Sequence, residues 1–345
     1  MRRAFLATCI YLLASCSPVP KSQWLYIFRY EPPALIQIGE DLSIQSKIPL
    51  YVPPECSLWD LYPQPVGGYL AIELSCPGGP TVVLMDTDNG ELSTLLNEPV
   101  DSHFLAWDAA GLYLRIDSLG NPRIVRVKPG AASVKEININ PLTYALSPSP
   151  DGHAYTYTFS LGLGFGSELW LKTGLSEKRL LNDPSGIISF ARWSPDGEKI
   201  ATIRMPDSQT PFTIGELILV DANGQNPVKL AAVDGGHGYE ANWSPDGERI
   251  AFVKRENPED ERANQSASAL VSNIYTVETK SGQVTSLTQM DNAVVETPHW
   301  SPDGRYVAFN VSSDGTITVW IANMAKGKSE PVLKGATCCP AWMRK

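Results

Sequence analysis

Aspartates, histidines and two short loops are the residues of this chain whose type and spacing could do chemistry. Asp151, Asp196, Asp246 and Asp303 each follow Ser-Pro and precede Gly. A carboxylate is a common general acid or base. Recurrence at one turn position, however, gives these four a structural explanation, and none is assigned to catalysis. The four histidines are His103, His153, His237 and His299. None has a second metal-ligating side chain at a useful spacing, so no metal is expected. Gly162-Leu163-Gly164-Phe165-Gly166 resembles a phosphate-cradling loop, but no helix N-terminus follows it to hold an anion. It reads as a connection between strands. Asp86-Thr87-Asp88-Asn89-Gly90 starts like a calcium loop, yet Asn97 stands at the twelfth position, where a bidentate Glu is required. No Gly-x-Ser-x-Gly elbow, Walker loop or His-Glu-x-x-His occurs. No catalytic residue and no cofactor is expected, and the chain reads as a non-enzyme.

The elements that position these residues come from a repeat. Trp193-SPDGEKIA, Trp243-SPDGERIA and Trp300-SPDGRYVA are three clear copies, and Ser149-Pro150-Asp151-Gly152 is a fourth. Trp107-Asp108-Ala109-Ala110-Gly111 keeps the frame, and Trp59 to Gly68 is read as a stretched sixth copy. The glycines at 68, 111, 152, 197, 247 and 304 lie 41 to 57 residues apart. That period suits four-stranded propeller blades. Proline presets φ for the turn, aspartate bonds back to the backbone, and glycine takes the position with φ > 0. The Trp ends one strand and KIATI, RIAFV or YVAFN begins the next. Leu217 to Leu230 shows a third and fourth strand joined by a polar turn. No long helix is evident beyond the leader.

The ends suggest how a ring closes. The chain finishes Cys338-Cys339-Pro340-Ala341-Trp342, which matches the segment ahead of Trp300, but no turn follows. The segment from Trp24 begins with strands that have no preceding Trp and turn. Trp342 is therefore expected to supply the inner strand of a blade whose other three strands come from residues 24–51. The predicted fold is an all-β propeller of four-stranded blades, seven in number and closed by pairing of the N- and C-terminal strands. A six-bladed ring is the alternative, if the N-terminal strands only decorate the rim.

Composition agrees. The 345 residues carry 28 Lys+Arg, 37 Asp+Glu, 28 Pro and 27 Gly, for a net charge of −9. An acidic chain argues against nucleic acid as a partner and against electrostatic docking to anionic lipid. Met1-Arg2-Arg3 followed by the apolar run Ala4–Ala14 suits a signal segment and is too short to span a bilayer. Leu13-Ala14-Ser15-Cys16 resembles the bacterial lipoprotein signal. The resemblance implies that residues 1–15 are removed, that Cys16 is lipidated, and that residues 16–23 form a tether before a single domain at 24–345. The protein is then exported and faces the periplasm or the cell exterior. Multiple acyl chains on Cys16 would make the anchor stable.

Four cysteines remain for the exported domain, where disulfides are permitted. Cys56 and Cys76 lie symmetrically about Val66 in the first hairpin, as cross-strand partners would. Cys339 and Cys56 each lie three residues ahead of a Trp, so a staple between adjacent blades is an alternative. A vicinal Cys338–Cys339 bond is the third possibility.

The Trp-Ser-Pro-Asp-Gly-x-x-Ile-Ala-Phe pattern resembles the WD-like propeller repeat of the TolB family. Its members are periplasmic proteins whose propeller binds partner proteins. The repeat also occurs in propeller domains of prolyl oligopeptidase relatives. Neither a separate N-terminal α/β domain nor a hydrolase domain is evident here. The expected function is that of a lipid-anchored, monomeric, protein-binding scaffold. The alternatives are an enzyme or glycan-binding protein working at the channel mouth, and a peptidase-type propeller without its hydrolase. In a propeller the A–B and C–D turns share one face, and the B–C and D–A loops share the other. Longer loops at 160–167, 205–214, 234–240 and 255–272 place the binding surface on the second face. Phe165, His237, Tyr239 and Glu240 are its candidate residues. The stretch from Arg255 to Ser272 reads as a solvated, mobile insertion.

Overall fold

The computed structural model describes residues 23–96, 100–130, 134–162, 164–189, 191–235 and 240–344. Cys16 and the rest of residues 1–22 lie outside the described residues, whereas Gln23, the last residue of the expected tether, opens a strand of the domain. Seven antiparallel sheets form a ring of blades. Blade 1 is composite, with order Thr337–Arg344, Gln23–Arg29, Ala34–Ile38 and Ile44–Pro49 from the axis outward. Leu25 sits opposite Trp342 and Gln23 opposite Arg344, so the two chain ends share one ladder, as the repeat arithmetic implies. This removes the open edge that an unclosed ring would present.

Six blades follow in sequence, each with strands A to D running outward. Their A strands are Ser57–Pro63, Asp101–Asp108, Thr143–Pro148, Arg192–Trp193, Asn242–Trp243 and Val294–Trp300. In blade 5 a further short strand, Gly186–Ile188, pairs with the same B strand ahead of Arg192–Trp193.

The B strands show why the repeat reads as a run of apolar residues. Ile250, Ala251, Phe252 and Val253 are all fully buried, as are Val307, Ala308 and Phe309. A second strand is covered by the neighbouring blades on both faces, so both sets of side chains go inside. Outer strands such as Leu92–Thr94, Val134–Glu136 and Val284–Ser286 are exposed throughout.

Each Ser-Pro-Asp-Gly turn is a closed hydrogen-bond circuit. In the copy at 194, Ser194 Oγ donates to Asp196, Lys199 N donates to Ser194 Oγ at 2.9 Å, and Glu198 N donates to Asp196 Oδ1 at 3.0 Å. Gly197 takes φ of 75°, where a Cβ would be strained. The serine hydroxyl, then the backbone N–H, hold the Asp151 and Asp196 carboxyls below their ordinary range.

The repeat Trp joins one blade to the next. The indoles of Trp107, Trp193, Trp243 and Trp300 donate to the carbonyls of Tyr62, Ser147, Arg192 and Asn242 in the preceding blade, at 3.0–3.1 Å. These carbonyls lie one residue before the repeat position. Blade 4 holds Pro148 at that position and blade 2 holds Pro63. Trp59 is therefore not the repeat Trp of blade 2. It lies four residues earlier, bulged out of the ladder between Leu58 and Asp60 and 68% exposed. At the closing blade, the Trp342 ring stacks on Tyr306, with centroids 6.4 Å apart.

Candidate functional site at the channel mouth

Strand A runs from the second face to the Ser-Pro-Asp-Gly face, and residues ahead of the repeat position line the axis. Pairing of this strand is irregular in five blades, with shifts at Leu58/Asp60, Phe104/Ala106, Thr143/Ala145, Glu296/His299 and Tyr26/Phe28. Thr297 and Cys339 take φ of 48° and 63° within these segments. Such bulges break the in-out alternation and re-aim side chains.

Polar groups from several blades meet here. Arg192 of blade 5 pairs with Glu240 of blade 6 at 2.7 Å. Asn242 Nδ2 donates to the Pro298 carbonyl at 2.6 Å. Buried Glu73 accepts from Phe104 N at 3.4 Å and lies 3.1 Å from His103 Nδ1. The Tyr62 and Phe104 rings stack with centroids 3.7 Å apart, walling one side.

Asp60 is the most perturbed acid among the described residues. Its carboxyl is pushed up to about 7, first by loss of solvation and then by the charges of Glu240, Glu73 and Glu296. The N–H of Leu61 opposes the rise. Blades 2 and 6 are not neighbours in the ring, so Asp60 and Glu240 feel each other across the axis. Burial also depresses the imidazole of His299, with Glu240 opposing and Arg192 reinforcing. The site thus gathers four carboxylates, one guanidinium and two imidazoles, and burial favours the neutral forms of Asp60 and His299. Chemically, the arrangement can share protons and attract cations. Among the described residues no group of His, Cys, Asp and Glu has the geometry to hold a metal.

The four residues proposed from sequence divide. Glu240 joins the mouth through Arg192. Phe165 stands apart on the blade 4 B–C loop, 69% exposed. His237 and Tyr239 lie outside the described residues. Asp60, Arg192 and Glu296 were not foreseen, because they come from three blades; Glu73, on the second strand of blade 2, was not foreseen either. For the first three the available signal was charge one to four residues ahead of the repeat position, where an inner strand should be apolar.

The glycine-rich loop has a local occupant. Gly164 N and Gly166 N donate to Asp207 Oδ2 at 2.8 and 3.1 Å, so a carboxylate of blade 5 fills the nest. The Asp86 loop is a C–D turn, with Asp88 N donating to Asp86 Oδ1 at 2.8 Å. Cys56 is joined to Cys76 across the hairpin base, and Cys338 to Cys339. The staple between Cys339 and Cys56 is not formed. Cys339 Sγ instead lies 3.6 Å from the Trp59 carbonyl, placing the vicinal pair at the mouth.

The insertion after Arg255 differs from the solvated loop expected. Arg255 and Asp234 are both fully buried and ion-paired at 3.3 Å, and Arg255 Nη1 donates to Asn264 Oδ1 at 2.8 Å. This docks a short helix, Glu261–Gln265, capped by Asp260. Ala263 and Leu270 pack with Val294 and Phe212. The polar residues of the stretch concealed two apolar anchors and a buried cation.

Large apolar side chains left exposed are unevenly placed. Tyr51, Trp59, Leu119, Leu142, Leu161 and Phe165 lie on the second face, against Val66 and Leu175 on the first; the others are on outer strands. A hollow of about 310 Å³ beside Arg123 and Glu136 lies on the flank of blade 3, away from the mouth. Among the described residues, no helix is long and apolar enough to cross a membrane.

No protein-family profile matches this chain, and no curated protein matches it significantly. Solved structures do. TolB from Acinetobacter baumannii superposes with a TM-score of 0.53 at 18% identity, over 93% of this chain and 66% of that one. An oligogalacturonate lyase in complex with manganese gives 0.58 at 14% identity, over 90% and 85%. A prolyl endopeptidase gives 0.62 at 13% identity, over 92% of this chain and 48% of that one. This chain thus spans about two thirds of TolB and about half of the endopeptidase. At these identities the likeness is one of fold: the chain shares the β-propeller fold of these proteins, here with seven blades.

Proposed function

We propose that this protein is an exported, lipid-anchored propeller that binds a partner protein through its second face. The observation that carries the reading is the asymmetry of exposed apolar side chains. Six of them crown the second face, while short, self-satisfied turns cover most of the first. Exposed apolar side chains on the second face outnumber those of the first by six to two, and loops on a rigid frame are where binding is built. The acidic surface favours a partner with basic groups. Cys16 supplies the anchor, and nothing in the domain's charge substitutes for it.

The test is affinity capture after crosslinking in the native membrane. Wild type should retain a discrete partner, and the double variant Trp59→Ala, Phe165→Ser should lose it while keeping its thermal stability. Unchanged capture by that variant contradicts the reading. The carboxylates at the mouth favour a second reading, an enzyme or glycan-binding site on the axis. Under that reading Asp60→Asn abolishes turnover or glycan binding and leaves protein capture intact.

A further inference from the structure

We propose that the Ser-Pro-Asp-Gly face is turned toward the bilayer and that the channel mouth is presented away from it. The inference rests on the reading of Cys16 as the lipidated residue and adds an orientation to it. It follows from where the chain enters the ring. Gln23 opens the B strand of blade 1, and B strands start at the Ser-Pro-Asp-Gly face.

That entry point is fixed. Gln23 is 3% exposed. Its side chain donates to Asp303 Oδ2 at 2.7 Å and accepts from Asp303 N at 3.2 Å, inside the blade 7 turn. Its backbone N–H donates to Glu40 Oε1 at 3.3 Å, and it sits opposite Arg344 in the ladder. The chain therefore leaves the domain at a place pinned to the first face.

The tether then decides the orientation. From Cys16 to Gln23 is seven residue steps, which reach at most about 25 Å fully extended. Placing the second face on the bilayer would carry the tether outward past strands C and D, about 10 Å. It would then have to run down the height of the ring, another ~23 Å for a seven-residue strand. The tether falls short of that route. Nor does charge draw the first face onto the lipid, since its turns carry Asp151, Asp196, Asp246 and Asp303. The domain is held near the membrane by its tether alone, mouth outward.

The test uses full-length protein in vesicles of neutral lipid carrying a headgroup acceptor dye. A fluorescent residue is placed at Leu175, in a C–D turn, or at Leu119, in a B–C turn; both are fully exposed. Energy transfer should be stronger from position 175 than from 119, and independent of salt. Equal transfer, or stronger transfer from 119, overturns the orientation. Mass spectrometry of the N-terminal peptide is read first on the same sample. A Cys16 without acyl chains overturns the underlying reading instead, so the two failures are distinguishable.

Discussion

Asp60 shows how one residue takes its chemistry from the ring. Its neighbours in sequence, Trp59 and Leu61, give no hint of a perturbed acid. Its carboxyl rises to about 7 because the channel wall removes solvent and because Glu240, Glu73 and Glu296 lie near it. An unfolded Asp releases its proton near ~3.9. Between those values the native state holds more protons than the unfolded chain, so stability from this group falls as pH rises through the window. Below about pH 4 both states are protonated and the group has no effect. Asp60→Asn, which keeps an acceptor for Leu61 N, should therefore stabilise the protein at pH 8, by at most about 4 kcal/mol. The gain should shrink to about 0.5 kcal/mol at pH 4. Urea titrations of both proteins at the two pH values check this; equal stability at pH 8 contradicts it. The Ser-Pro-Asp-Gly aspartates are opposite in sense. Asp151 and Asp196 are depressed by serine and backbone hydrogen bonds, so their contribution is present above the unfolded pKa and is lost in acid.

At the scale of elements, legibility followed repetition. The turn glycines, the inner Trp and the buried second strand recur, and each copy supports the others, so the blades and their order could be read from spacing. The stretched copy at Trp59 failed because Pro63 occupies the repeat position and a bulge displaces the Trp. The insertion after Arg255 failed because a single buried Arg is indistinguishable in sequence from its solvated neighbours Glu256, Glu259 and Arg262. Its anchor is testable. Arg255→Ala removes the guanidinium from a fully buried ion pair, which costs about 3–5 kcal/mol. Hydrogen exchange in Glu261–Gln265 should rise in the variant, and the midpoint of thermal unfolding should fall. An unchanged midpoint means that the pair does not hold the insertion.

At the scale of the molecule, the ring converts scattered positions into one site. Arg192, Glu240, Glu296 and His299 occupy three blades and over a hundred residues of chain, yet they face one axis. No linear motif could announce them, because all they share is a place just ahead of the repeat position, at different offsets in different blades. The closure was legible for the opposite reason: two incomplete repeat fragments at the chain ends complement each other, and Leu25 and Trp342 meet as partners. The same closure fixes where the chain enters the ring, at the Ser-Pro-Asp-Gly face. The proposed working face is the second face. A photo-crosslinking side chain at Phe165 or Trp59, compared with one at Leu175 in cells producing the full-length protein, tests it most directly. Discrete protein adducts are expected from positions 165 and 59 and none from 175. Adducts from 175 alone would contradict it.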